Sequence, residues 1–319
     1  MNKKLGLGVV LLLAVAFTAC GQQYDNASDF RVTPLDGGRS AEITAYVGNK
    51  QTVNIPPRIE GMTITKIGDG AFEGKEIIRI TIPNSVTSIG RGAFTENRFT
   101  SITLPAGLTS IGAGAFNSCT SLTSITLPAG LTSIGEYAFG YCTSLASVTI
   151  SAGLTSIGSA MFFDCTSLTS ITIPASVTSI GGRAFDGTAW LDSQPDGLVY
   201  VNKVLYKYKG TIPANTVINN IRTDTIAIAG SAFWECYGLA SVTLAEGVTT
   251  IGNHAFGGCT SLASITIPAS VTSIGELAFR DWSSRQTIYI RGKANQEAAD
   301  AAWDRNWRND CKAQIVYQP

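Results

Sequence analysis

Residues 122–143 read LTSITLPAGLTSIGEYAFGYCT, and this stretch decides the fold because it keeps returning along the chain. Leu122, Ile125 and Leu127 follow an L-x-x-L-x-L spacing. The alternation Ile125-Thr126-Leu127 predicts a short strand with one buried face. Pro128 ends that strand, because proline has no N–H to give to a ladder. Leu131 and Ile134 return to the core on a second extended segment. Gly135 follows at a turn, where a positive φ costs glycine little. Ala138 and Phe139 plug a tight corner, and Cys142 sits three residues further on.

An Ile followed five residues later by a Phe occurs nine times, from Ile67 with Phe72 to Ile274 with Phe279. The steps are 22, 22, 23, 23, 23, 48, 23 and 23 residues. A fixed period of this size identifies a solenoid, whose coils bury their apolar faces only against their neighbours. Parallel strands about 4.8 Å apart are expected, and roughly ten coils would span about 50 Å. One core can then run through all 319 residues without division into separate globular units.

Apolar residues make up 45% of the chain and charged residues only 14%, with 23 basic and 23 acidic side chains. Between Phe99 and Ile180 the only charges are Glu136 and Asp164. Nucleic acid needs rows of Lys or Arg to displace its counterions, so no nucleic-acid partner is expected. The first residues read as an export signal: Lys3 and Lys4, an apolar run over residues 5–17, then Ala19-Cys20-Gly21. The run is too short to span a bilayer comfortably. The junction resembles a bacterial lipoprotein cleavage site, which implies acylation of Cys20 and attachment to the membrane through lipid alone. Each buried methylene of an acyl chain adds about 0.8 kcal/mol, and more than one chain makes the attachment lasting.

The repeat recurs as LASVTISAGLTSIGSAMFFDC, LASVTLAEGVTTIGNHAFGGC and LASITIPASVTSIGELAF. In these copies the chain resembles the BspA-like class of bacterial leucine-rich repeats, over about residues 30–319. Residues 46–72 look like that family's opening coil. Ala229 in place of Gly, Met161 in place of Ala and Ser151 in place of Pro are small departures. The resemblance implies a leucine-rich-repeat superhelix with parallel strands. It also implies a secreted or lipid-anchored surface protein that adheres to host matrix proteins, host cells or other bacteria. No residue-level binding motif comes with it.

The chain therefore divides into a signal (1–19), an anchor and tether (20–29), an N-terminal hairpin cap (30–48) turning at Gly37-Gly38, a solenoid (49–280) and a C-terminal cap (281–319). The last cap reads as strand, helix and strand, with a helix over 294–307 that sets Trp303 and Trp307 one turn apart to seal the final coil. The 48-residue step holds an irregular unit, residues 187–215, with a hairpin turning near Asn202-Lys203. By period two, Val204, Tyr206 and Tyr208 share one of its faces and Leu205, Lys207 and Lys209 the other.

Two surfaces are candidates for contact. One is the outward row of the first strand: Ser101 and Thr103, Ser124 and Thr126, Ser147 and Thr149, Ser170 and Thr172. Threonine also suits a half-buried pleat, so the row serves stacking as well. The other is the hairpin, with Tyr200, Lys203, Tyr206, Lys207, Tyr208 and Lys209, a basic and aromatic group suited to protein recognition. Packing of the tyrosines on the solenoid is the alternative reading of that hairpin. A second polar row, Thr109-Ser110, Thr132-Ser133, Thr155-Ser156 and Thr178-Ser179, follows the next segment.

Catalytic chemistry is not legible. The single histidine, His254, has no acid and nucleophile at a spacing that makes a triad. Cys119, Cys142, Cys165, Cys236 and Cys259 are periodic, which predicts a buried thiol ladder in place of a metal site. Cys311 lies outside that ladder, with no partner assignable. No enzyme activity, metal or cofactor is expected. A surface adhesin, an envelope scaffold and, more remotely, a polysaccharide binder using the Ser/Thr strand face all remain open.

Overall fold

The computed structural model describes residues 23–318; the expected signal and Cys20 lie outside the described residues. The chain winds into a β-solenoid of about 12 turns, with parallel strands about 23 residues apart. Two rows of short strands run up it. In the first row, Ser124–Thr126, Ser147–Thr149 and Ser170–Thr172 pair in parallel, Ser on Ser and Thr on Thr. In the second row, Ser88–Ile89, Ser110–Ile111 and Ser133–Ile134 stack the same way. Identical residues fall in register because the period sets the pairing, so each Ile lands on the Ile of the coil before it.

The corners carry the core. Phe72, Phe94, Phe116, Phe139, Phe162 and Phe185 are all fully buried. Their rings stack at 5.3 to 5.9 Å, and Phe116 and Phe139 lie only 2° from parallel. Phe233, Phe256 and Phe279 form a second stack at 5.2 and 5.8 Å. The corner amides are paired to the next coil: Phe94 donates to the Ala115 carbonyl, Phe116 to Ala138 and Phe139 to Met161, at 2.8 to 3.0 Å.

The periodic cysteines complete these corners. The thiols of Cys119, Cys142, Cys165 and Cys259 donate to the carbonyl of the repeat Phe one coil earlier, at 3.0 to 3.3 Å. Asn97 Nδ2 and Trp282 Nε1 make the same bond in their own coils, to Phe72 and Phe256. Burial pushes the Cys119 thiol up to about 12, far from reactive thiolate.

Gly135 plays a different part from the one expected. It has no positive φ; a Cβ on it would strike the Ala113 backbone. Gly112 would likewise meet the Arg91 nitrogen at 2.5 Å, and Gly68 the Ile43 oxygen at 2.8 Å. Glycine follows every repeat Ile but Ile228, because successive coils touch backbone to backbone there. The left-handed conformation sits elsewhere, two residues before each repeat Phe. Gly70, Gly92 and Gly114 occupy it first, then Tyr137, Ala160, Arg183, Ser231, His254 and Leu277.

Both ends are closed by aromatic residues. Phe30–Leu35 and Ser40–Tyr46 form the antiparallel N-terminal hairpin, whose second strand pairs in parallel with Met62–Ile67. Tyr46 takes the corner position, stacked on Phe72 at 5.5 Å with its amide on the Ala71 carbonyl. At the other end Trp282 and Trp307 meet Phe279 edge-on. The helix expected over 294–307 is only Gln296–Asp300, capped by Asn295. It stops because the coil pattern captures the chain: the Asp304 amide bonds the Ile274 carbonyl, and the Leu277 amide bonds Asn306. Thr287–Arg291 and Gln314–Gln318 then add two parallel strands.

Phe139→Ala is expected to cost about 3 to 5 kcal/mol in denaturant melts, as other buried Phe truncations do. A loss under about 0.5 kcal/mol, the size of a neutral surface change, overturns this corner. Gly135→Ala is expected to destabilise more than Gly92→Ala. Gly92 has φ +59° but open space out to 3.5 Å, so alanine there meets only the left-handed cost of about 1 to 2 kcal/mol.

Candidate functional site

The two hydroxyl rows differ in what they are bonded to. In the second row, Thr109 Oγ1 donates to the Thr87 carbonyl at 3.0 Å, Thr132 to Thr109 at 3.2 Å and Thr272 to Thr249 at 3.2 Å. That row ties each coil to the one before. In the first row Ser101, Thr103, Ser124, Thr126, Ser147, Thr149, Ser170 and Thr172 are all exposed. Ser101 joins it through an isolated bridge to Ser124, and Thr103 lies just beyond the paired residues. Among the described residues the hydroxyls of Thr126, Thr149 and Thr172 make no hydrogen bond, and they lie in direct register. They form a neutral, unspent polar face.

The hairpin is the surface that needs correcting. Gly197–Val201 and Val204–Lys209 pair antiparallel, as expected. Val204 and Leu205, however, stack in parallel on Ala227 and Ile228, so the hairpin is itself a coil of the solenoid. Val204, Leu205 and Tyr206 are all buried, in place of the simple two-faced alternation. Tyr206 packs edge-on against Phe185 at 5.3 Å. Its hydroxyl accepts from the Phe185 amide and donates to Asp186 Oδ1, both at 2.9 Å. Burial, then the Asp186 charge, holds that phenol well above its usual range. Tyr208 supplies the missing corner amide, donating to the Ala232 carbonyl at 2.8 Å.

The remaining hairpin side chains are mostly engaged. Lys207 pairs with Asp186 at 2.5 Å, and Lys209 donates to the Asp192 and Gln194 carbonyls. Tyr200 accepts from the Arg222 amide and lies under that guanidinium at 4.9 Å. Of the six hairpin residues expected to make contact, Lys203 is the exposed one. The hydrophobic core divides at this junction, one cluster ending at Ala229 and the other beginning at Leu205.

Beside the junction the corners line an open cavity of about 510 Å³. Arg183, Lys207 and Arg280 line it, with Asp186, Trp234 and His254. Spacing alone did not single out this group, because its members come from five coils. The available signal was the position two before the repeat Phe, where Arg183 and His254 both sit with positive φ. Arg183 lies 4.4 Å over the Phe163 ring, which also meets Tyr137 and Tyr141 edge-on.

The family profile for the BspA type leucine-rich repeat region matches residues 65–191 and 214–302, in 6 copies. Among solved structures, the chain is similar to a leucine-rich cell surface protein from Faecalibacterium prausnitzii. The two share 25% identity and a TM-score of 0.51, over 93% of this chain and 94% of that one. It is also similar to a leucine-rich repeat protein of T. pallidum at 25% identity and a TM-score of 0.49, over 75% of this chain and 91% of that one. No curated protein matches it.

Tyr206→Phe keeps the ring and strands the buried Phe185 amide. It is expected to cost about 1 to 3 kcal/mol, read as a lowered denaturation midpoint. An unchanged midpoint would remove the phenol from the junction. Native-state labelling with a thiol reagent is expected to reach half-buried Cys311 first and the buried ladder cysteines only on unfolding. Labelling of Cys142 at the Cys311 rate would contradict the buried ladder.

Proposed function

The chain belongs to the BspA type leucine-rich repeat family, and from that premise we propose that it is a non-enzymatic cell-surface lipoprotein that adheres to proteins of the host matrix, host cells or other bacteria. Repeat scaffolds of this family typically bind and do not catalyse. The observation that carries the reading is the neutral row of Thr126, Thr149 and Thr172: exposed, in register and free of bonds to the solenoid. A face without charge meets a partner without the cost of stripping water from ions. Lys203 is the exposed hairpin residue available to the same partner. The relative from Faecalibacterium prausnitzii is described as a cell surface protein, which fits export. No helix among the described residues is long and apolar enough to cross a membrane. In this reading the acylated Cys20 anchors the protein to the outer membrane, with the solenoid at the cell surface.

Replacing Thr126, Thr149 and Thr172 together with Lys is expected to preserve the fold, since all three are exposed, while lowering the melting midpoint somewhat through three like charges about 4.8 Å apart. Binding to matrix proteins and to intact cells should fall at least about tenfold, because the new charges must be desolvated. Undiminished binding moves the site off this face. A wild type that binds nothing on cells but is shielded from added protease favours an envelope scaffold. Fatty-acid labelling should mark the wild type and miss Cys20→Ser; equal labelling removes the anchor.

A further inference from the structure

We propose that the cavity beside the hairpin junction binds a sugar acid, a polyhydroxylated ligand carrying a carboxylate. This site is separate from the strand face and does not depend on the adhesion reading. Three cations, Arg183, Lys207 and Arg280, line the cavity against one carboxylate, Asp186. Lys207 is already paired with Asp186 at 2.5 Å. The two guanidiniums are not similarly spent. Arg183 makes no ion pair among the described residues and is held by the Phe163 ring at 4.4 Å. Arg280 reaches Asp281 and Asp310 only at 3.7 and 3.9 Å, and its Nε, though shielded from solvent, makes no hydrogen bond. Planar guanidinium forks with free N–H groups match a carboxylate.

Asp186 explains why the ligand needs hydroxyls as well. Its Oδ1 accepts from Tyr206 and its Oδ2 from Lys207, which leaves each oxygen a further lone pair. Ser231 adds a hydroxyl at the same cavity. A bare anion gains nothing from these acceptors and is repelled by one of them. A carboxylate borne on a ring of hydroxyls satisfies both kinds of group. Tyr208 and Trp234 supply apolar wall for the C–H face of such a ring, and Trp234 is held edge-to-face on His254 at 5.2 Å. A volume of about 510 Å³ lies in the range of small-ligand pockets. Arg183 at φ 60° and His254 at φ 56° both take the left-handed corner position, which aims them at the same side of the solenoid.

His254 is the only histidine, so its imidazole is a built-in reporter. Burial first, and Arg280 second, hold it below its usual pKa, with Glu276 pulling the other way. An anion seated beside it favours the imidazolium. Titration of the full chain with glucuronate, followed by NMR of the imidazole, should therefore shift its signals and raise its titration midpoint. Glucose and inorganic sulfate should bind at least about tenfold more weakly, the scale of one charge-assisted hydrogen bond. Arg183→Gln and Arg280→Gln should each weaken glucuronate by a similar factor; both side chains are at least partly exposed, so folding is preserved. Absence of any shift with glucuronate, galacturonate and N-acetylneuraminate overturns the proposal. Sulfate as tight as glucuronate makes this a general anion site, and a Glu-rich peptide binding more tightly makes it a protein contact; either result also overturns it. So does affinity unchanged in both variants.

Discussion

The amide of a buried corner phenylalanine needs an acceptor from the coil further on. The corners are dry, and an unpaired N–H beside a stacked ring would cost about 1 to 3 kcal/mol. Repetition solves this almost for free, because an identical coil always presents its carbonyl at the same height: Phe162 to Ala184, Phe233 to Ala255 and Phe256 to Ala278. The difficulty arises where repetition stops. At the lower end Tyr46 enters the ladder in place of a Phe. At the 48-residue step the hairpin divides the task between two residues: Tyr206 receives the Phe185 amide through its phenol, and Tyr208 passes its own amide to Ala232. The Asp186 carboxylate, which receives the phenol proton, thereby becomes part of the surface beside it.

Much of this was legible because it repeats. Period, strand pairs, buried Phe and Cys columns and the N-terminal hairpin all follow from spacing. What spacing could not show are properties shared between coils. Gly135 reads as a turn glycine in one repeat; only the stack reveals that its missing Cβ makes room for Ala113. The segment 294–307 reads as a helix by itself, yet Asp304 and Asn306 are drawn off by the last open coil. Tyr206 reads as one face of a two-sided hairpin, whereas a coil above and a coil below cover both its sides. For the candidate sites, the strand row was visible in sequence because its members occupy one repeat position. The cavity was not: Arg183 and His254 share a repeat position, but one filled by Gly, Tyr, Ala, Ser or Leu in other coils, and Lys207 and Arg280 come from elsewhere in theirs.

The solenoid separates two kinds of exposed position. Along the strands, side chains are short, neutral and alike, since each must tolerate its copy about 4.8 Å away. At the left-handed corner column no such likeness is enforced, and Gly, Tyr, Ala, Arg, Ser, His and Leu all occur. Uniformity therefore suits the strand face to broad contact, and variety suits the corners to discrimination. Tyr137, Tyr141 and Phe163 extend the corner surface from the cavity toward the N-terminal coils.

The divided core also bears on how the solenoid answers a pull along its length. Within each array, load between neighbouring coils is shared by many equivalent backbone bonds. At the junction it passes through a few dissimilar ones: the Tyr206 phenol, the Lys207–Asp186 pair and the Gly230 amide on the Ile180 carbonyl. A shear force along the solenoid concentrates there, so we expect it to part first at this seam into two still-coiled halves. Slack chain released at that point would lengthen the molecule and lower the tension before either array began to unravel, much as a shock absorber yields ahead of the frame it protects.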